Sequence, residues 1–132
     1  MKLLSVNIIA LKTIQDLKYY ARSEDIRILT LEYTNIKSLS GVLHLCPNLV
    51  YLNASHNQLT HGNIKFNLKN NCLEEVYLTH NCLANVADLV PHCRRLRILD
   101  ISYNKISRVE KIASLIMLVK LQLINLKGNP VM

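Results

Sequence analysis

Two histidines stand in near-identical settings, Ser55-His56-Asn57 and Thr79-His80-Asn81. Brought side by side, two imidazoles could bind a metal ion or titrate as a pair near neutral pH. No third ligand of clear geometry stands beside them, so the expectation is no metal. Four cysteines follow a similar logic. Cys72-x9-Cys82 and His92-Cys93 lack zinc-finger spacing. Cys46 and Cys93 each stand at the same short distance before a repeat leucine, which marks them as interior thiols acting as small hydrophobes. Among the acids, Glu74 and Glu75 are adjacent, and a strand would send them to opposite faces, one at a bend or edge. The chain has no G-x-S-x-G, P-loop or H-E-x-x-H sequence. It reads as a non-enzyme without a cofactor or small-molecule substrate.

The elements that must position these residues come from an internal repeat. Leu49–Leu59, Leu73–Leu83, Leu96–Ile106 and Leu121–Val131 each follow L-x-x-L-x-L-x-x-N-x-L, with Ala54, Val76, Ile101 and Ile124 as swaps. The asparagines Asn57, Asn81, Asn104 and Asn129 recur at a nearly constant interval. This is the leucine-rich-repeat pattern. A fifth copy starts at Ile26 with Thr34 in place of Asn, and a degenerate one precedes it. Leu3, Val6 and Ile8 stand one such interval before Ile26, Leu29 and Leu31, with Leu11 where Asn belongs. The expected fold is an α/β leucine-rich-repeat solenoid, right-handed, of about six coils. Parallel strands line its concave face. Short helical, 3-10 or extended segments form the convex one, with turns of helix or 3-10 helix suited to Ile36-x-x-Leu39, Leu83-x-x-Val86 and Ile106-x-x-Val109. Ile64-x-Phe66-x-Leu68 alternates and suggests an extended segment. The whole of 1–132 reads as a single domain, with a degenerate repeat 3–25, repeats from 26, 49, 73, 96 and 121, and the last truncated.

Units of this length with I-x-x-L after the turn resemble the leucine-rich repeats of the protein-phosphatase-1 regulatory-subunit type. Similar arrays occur in a U2 small-nuclear-ribonucleoprotein subunit, acidic nuclear phosphoproteins and axonemal dynein light chains. The resemblance implies a cytoplasmic scaffold, with nuclear, ciliary and cytoskeletal settings also represented, that holds a protein partner on its concave face. Solenoids need covered end coils. No capping segment is visible at either end, which is expected of a piece of a longer protein or of ends covered by a partner.

Reading the outward strand positions column by column builds the candidate partner face. Ile28, Tyr51, Glu75, Ile98 and Leu123 form one column; Thr30, Asn53, Tyr77, Asp100 and Asn125 form the next. Glu32, Ser55, Thr79, Ser102 and Lys127 follow, and Tyr33, His56, His80, Tyr103 and Gly128 stand immediately before the Asn position. Tyrosine buries large area while keeping a polar tip, which suits binding hot spots. The chosen partner-binding residues are therefore Ile28, Tyr33, Tyr51, His56, Tyr77, His80, Ile98, Tyr103 and Leu123.

Composition narrows the classes further. Half of the 132 residues are hydrophobic, with three Gly and three Pro, so disorder is a poor reading. Net charge is +7. Residues 94–132 carry eight basic groups against Asp100 and Glu110. Arg94, Arg95, Lys105, Arg108 and Lys111 would give a basic surface able to steer an acidic partner. Only one aromatic residue, Tyr103, lies among them, so no run of stacking aromatics interleaves with the charges and nucleic acid is not the expected ligand, although a ribonucleoprotein or cytoskeletal scaffold is the alternative setting. The apolar start is broken by Ser5, Asn7 and Lys12 and lacks a small-residue cleavage site, which argues against a secretory signal. No apolar run reaches the length of a membrane span. The thiols then read as reduced.

Overall fold

The computed structural model describes residues 4–7, 23–39, 42–64, 72–89 and 93–132. Six short strands stack in chain order into one parallel sheet. They are β1 (Leu4–Asn7), β2 (Ile26–Thr30), β3 (Tyr51–Asn53), β4 (Glu75–Tyr77), β5 (Ile98–Asp100) and β6 (Leu123–Asn125). Ile28, Tyr51, Glu75, Ile98 and Leu123 are aligned across successive strands, as are Thr30, Asn53, Tyr77, Asp100 and Asn125. β1 pairs Ser5, Val6 and Asn7 with Ile28, Leu29 and Thr30, after a register shift at Leu4. The chain is thus a leucine-rich-repeat solenoid with its parallel sheet on the concave side.

The strands form because every second residue points inward. Leu29, Leu52, Val76 and Leu99 are fully buried, and so are the next inward positions, Leu31, Ala54, Leu78 and Ile101. The first leucine of each unit joins them at Ile26, Leu49, Leu73 and Leu96. A single methylene buried this way is worth roughly 0.8 kcal/mol. The stacked apolar layers therefore supply the main driving force. Cys46 and Cys93 lie in the same core, fully buried, and make matching bonds. Their N–H groups donate to Val42 and Leu89, and their carbonyls accept from Leu49 and Leu96. Burial pushes the Cys46 thiol up to about 11, so it stays protonated.

The buried asparagines hold coil to coil. The N–H groups of Ile36, Leu59, Leu83 and Ile106 donate to Oδ1 of the Asn one coil later, at 3.3, 3.0, 2.9 and 3.1 Å. Each Nδ2 donates back to the carbonyl of Leu31, Ala54, Leu78 or Ile101, at 3.1, 3.2, 2.9 and 2.8 Å. It also donates within its own coil, to Ala54, Leu78, Ile101 or Leu126. Only a side chain that both donates and accepts can do this. Thr34 manages part of it, donating to Leu31 O at 2.7 Å. The expectations for Leu11, Phe66 and Leu68 lie outside the described residues.

The convex side carries the expected short helical and 3-10 segments, but not at the positions the spacing suggested. Ile36–Leu39 and Leu83–Val86 are not helical; Ile36, Leu39, Leu83 and Val86 are buried anchors of irregular chain. After Ile106 the chain is irregular too, and its turn starts only at Val109. The reason is a second ladder just past the asparagines. Cys82, Lys105 and Val131 donate backbone N–H bonds to Leu59, Leu83 and Ile106 of the preceding coil, which keeps the chain extended there. Helical turns begin later, at α1 (Val42–Leu45) and at 3-10 turns Ala87–Leu89, Val109–Lys111 and Ala113–Met117. In the last coil the apolar cover thins. Ile116, Met117 and Val119 are exposed, and Leu123 of β6 is 53% exposed.

Candidate functional site: the concave face and its rim

The sheet offers two rows of side chains on its open face. In the first, Ile28, Tyr51, Glu75 and Ile98 are half-buried and Leu123 is exposed. In the second, Thr30, Asn53, Tyr77, Asp100 and Asn125 are all half-buried. Tyr51 and Tyr77 occupy different rows of adjacent strands, which sets them diagonally; their ring centroids are 5.1 Å apart at an interplanar angle of 38°. Diagonal neighbours on a sheet are within reach of aromatic side chains. The Tyr77 hydroxyl donates to Glu75 Oε1 at 2.7 Å. Tyr77's hydroxyl is pushed well up by burial, then by its bond to Glu75 and the charges of Glu75 and Asp100. Tyr51's is raised by burial and the charges of Glu75 and Glu32, against a bond with Asn53 that lowers it. Both phenols remain donors at physiological pH.

The third expected row divides: Glu32 reaches the open face, accepting from Asn53 Nδ2 at 2.9 Å, while the serines turn inward. Ser55 and Ser102 are buried. Alternation holds only while the chain is extended, and here it is already entering the turn. The N–H groups of Ser55, Ser102 and Lys127 donate to the side-chain oxygens of Asn53, Asp100 and Asn125 in the strands just before, at 3.0, 3.0 and 3.1 Å. These are Asx turns, the local structure Asn and Asp favour. Asp100 therefore serves the turn with one oxygen and faces the sheet's open side with its charge.

Tyr33, His56, His80 and Tyr103 stand beyond the carboxyl ends of the strands, on a rim. All four have left-handed backbone, with φ of 54°, 58°, 55° and 54°. A non-glycine residue there costs about 1–2 kcal/mol. Two features offset the cost. The N–H groups of His56, His80 and Tyr103 donate to the carbonyls of Thr79, Ser102 and Lys127 in the next coil. The four rings also form one continuous stack, with centroid spacings of 4.4, 4.4 and 4.5 Å and interplanar angles of 14°, 14° and 18°. Each such contact contributes roughly 0.5–1.5 kcal/mol. Gly128, at φ 76°, continues the column without a ring, because Tyr103 occupies its place: a Cβ there would lie 2.4 Å from Tyr103 Cδ1.

Stacking also settles what the histidine pair cannot do. Nearly parallel imidazoles hold their in-plane lone pairs parallel, so the two rings cannot converge on one ion. Among the described residues no group of three or more His, Cys, Asp or Glu could hold a metal. His80 Nδ1 lies 2.9 Å from Thr79 Oγ1, which donates to Ser102 O at 3.0 Å.

The basic side chains straddle the fifth coil. Arg94 and Arg95 are exposed on the amino side of β5, while Lys105, Arg108 and Lys111 are exposed beyond its carboxyl end. Glu74 sits just before β4, at the edge position expected of one of the two adjacent acids. It pairs with Arg97 at 3.6 Å, each side chain 41% exposed.

Residues 95–116 match the family model described as Leucine Rich Repeat. Two solved structures from Listeria monocytogenes are similar in fold. Internalin C2 aligns at 21% identity with a TM-score of 0.59, covering 79% of this chain and 43% of its own. Internalin inlF aligns at 21% identity with a TM-score of 0.55, covering 80% of this chain and 35% of its own. The chain thus spans less than half the length of either. No curated protein matches it by sequence. The fold is that of a leucine-rich-repeat solenoid, and among the described residues no helix is long and apolar enough to cross a membrane.

Proposed function

We propose that the chain is a protein-interaction module that seats a partner protein on the open face of its sheet. The observation that carries this reading is the diagonal Tyr51–Tyr77 pair, 5.1 Å apart, flanked in register by Ile28, Ile98 and the exposed Leu123. Fixed tyrosines between aliphatic side chains supply area at low entropic cost. The sheet itself is rigid, because its backbone bonds and the asparagine ladder are completed within the solenoid. The rim stack adds His56, His80, Tyr33 and Tyr103 as a second edge on which a partner can rest.

The nearly constant interval between aligned strand positions, from Ile28 through Tyr51, Glu75 and Ile98 to Leu123, supports placing the array in the protein-phosphatase-1 regulatory-subunit-like class. Interior thiols used as hydrophobes at Cys46 and Cys93 suit the reducing conditions of cytosol or nucleus. We also read residues 1–132 as one continuous array.

The test is a selection of displayed random peptides on the chain. Recovered binders should lose affinity for the Tyr51→Ala and Ile98→Ala variants and keep it for His61→Ala, on the convex side. Binders insensitive to both concave substitutions would overturn the reading.

A further inference from the structure

The open face has a charge opposite to that of the chain. Net charge is +7. Yet the two aligned open rows from β2 to β6 hold the acids Glu75 and Asp100 and no base, and Glu32 joins them through its bond from Asn53; the one base beside them is the exposed Lys127, past the end of β6. Each carboxylate is held by a neutral donor. Glu75 accepts from the Tyr77 hydroxyl at 2.7 Å, Glu32 from Asn53 Nδ2 at 2.9 Å and Asp100 from the Ser102 N–H at 3.0 Å. Among the described residues none of the three is ion-paired; the pair of Arg97 with Glu74 lies outside the face, at the amino edge. The acids are therefore oriented but not neutralised, around two tyrosine rings.

We propose that this face takes a basic peptide segment of a partner protein, with arginine or lysine side chains set among Glu75, Asp100 and Glu32 and against the rings of Tyr51 and Tyr77. The inference rests on the concave-face reading and names the chemistry of its partner. Three observations select a cationic occupant. The carboxylates supply acceptors already held in place, which favours charge-assisted bonds to guanidinium or ammonium groups. A tyrosine face attracts a cation within about 6 Å of its centroid. Ile28, Ile98 and Leu123 give the aliphatic stems of such side chains an apolar floor. Nucleic acid and acidic segments would meet like charge on this face. The net positive charge of the whole chain does not decide the matter, because beyond a Debye length of about 8 Å in physiological salt it is screened.

The charge can be removed without disturbing the fold. Asn already forms the Asx turn in the coils of Asn53 and Asn125, so Asp100→Asn keeps it. Glu75→Gln keeps an oxygen for the Tyr77 hydroxyl. Binding of fluorescein-labelled alternating Arg-Gly, Glu-Gly and oligouridine probes to the full chain is followed by anisotropy. The Arg-Gly peptide should bind and the Glu-Gly peptide should not. The Glu75→Gln/Asp100→Asn variant should weaken Arg-Gly binding by about tenfold or more, and Glu110→Gln, on the convex side, should leave it unchanged. Equal binding of both peptides, full affinity in the double variant, or binding of oligouridine alone would overturn the proposal. Displayed binders that need Tyr51 and Ile98 but carry no basic residues would overturn it too, while leaving the concave-face reading standing. Binders indifferent to Tyr51 and Ile98 would remove that reading itself.

Discussion

The asparagine column and the open sheet face run side by side through the same coils and obey opposite rules. Past each strand the chain repeats its chemistry: Asn57, Asn81, Asn104 and Asn129 make the same bonds to the coil before. On the face, the aligned residues Ile28, Tyr51, Glu75, Ile98 and Leu123 mix aliphatic, aromatic and acidic side chains. Repetition marks positions whose partner is the next coil. Variation marks positions freed from that task, where a partner outside the chain sets the requirement. The rim lies between the two. Its rings repeat as aromatics and stack like a structural column, yet Tyr33 is 67% exposed.

The difference predicts a graded response to substitution. The largest effect belongs to Asn81→Ala. It strips the Leu59 N–H of its acceptor inside the core and takes one of two asparagine donors from each of the Ala54 and Leu78 carbonyls, which keep Asn57 and Asn104. At about 1–3 kcal/mol for the buried N–H left unsatisfied, with smaller losses at the two carbonyls, urea denaturation should show a loss of about 2–4 kcal/mol. A loss below about 1 kcal/mol would mean that water or neighbouring groups replace the ladder.

Next comes the rim. Gly128→Ala forces a Cβ against Tyr103 at a left-handed backbone position. The expected cost is about 1–3 kcal/mol, with a changed tyrosine signal in near-ultraviolet circular dichroism. Gly62→Ala, with no atom within 4 Å of the new methyl, should stay within about 0.5 kcal/mol of the parent. Equal effects at the two glycines would separate the ring stack from stability.

The interior thiol gives a pH signature. Cys46 is raised from 9.0 to about 11. Between those values the unfolded chain has released the proton and the folded chain retains it, so stability should fall as pH rises. Denaturation midpoints from pH 8 to 11 should decline less steeply in Cys46→Ala than in the parent. Matching slopes would show that the thiol ionises equally in both states.

The smallest stability effect belongs to the open face. Glu75→Gln keeps the acceptor for Tyr77 and should change stability by less than about 0.5 kcal/mol. A cost comparable to that of Asn81→Ala would erase the comparison.

The fold was legible because its signal is redundant. Leucine at fixed spacing and Asn57, Asn81, Asn104 and Asn129 state the same coil several times over. The two open rows of the face were readable for the same reason, since period-2 alternation within an aligned strand leaves no choice of side. Legibility ended where the chain stops being extended. Ser55 and Ser102 continue the alternation on paper but are drawn inward by the turn. Ile36–Leu39 has helical spacing but is kept irregular by bonds to its neighbouring coils, including Leu39 N–H to Asn63 O at 2.7 Å. The left-handed rim had one sign in the sequence, Gly128 sharing a column with Tyr33, His56, His80 and Tyr103. A glycine in register with aromatic residues marks a backbone that side chains tolerate only with support. The pinned carboxylates of the face depend on rotamers, which no spacing rule specifies.

The central claim is that repeated positions hold the solenoid and the varied face receives the partner. Backbone amide NMR of the labelled chain, titrated with a peptide recovered by display, tests it most directly. The account predicts shifts concentrated in β2 to β5, around Ile28, Tyr51, Tyr77, Ile98 and Asp100, with the convex turns His61–Asn63 and Ala87–Leu89 unmoved. Shifts confined to those convex turns, with the strands silent, would contradict it.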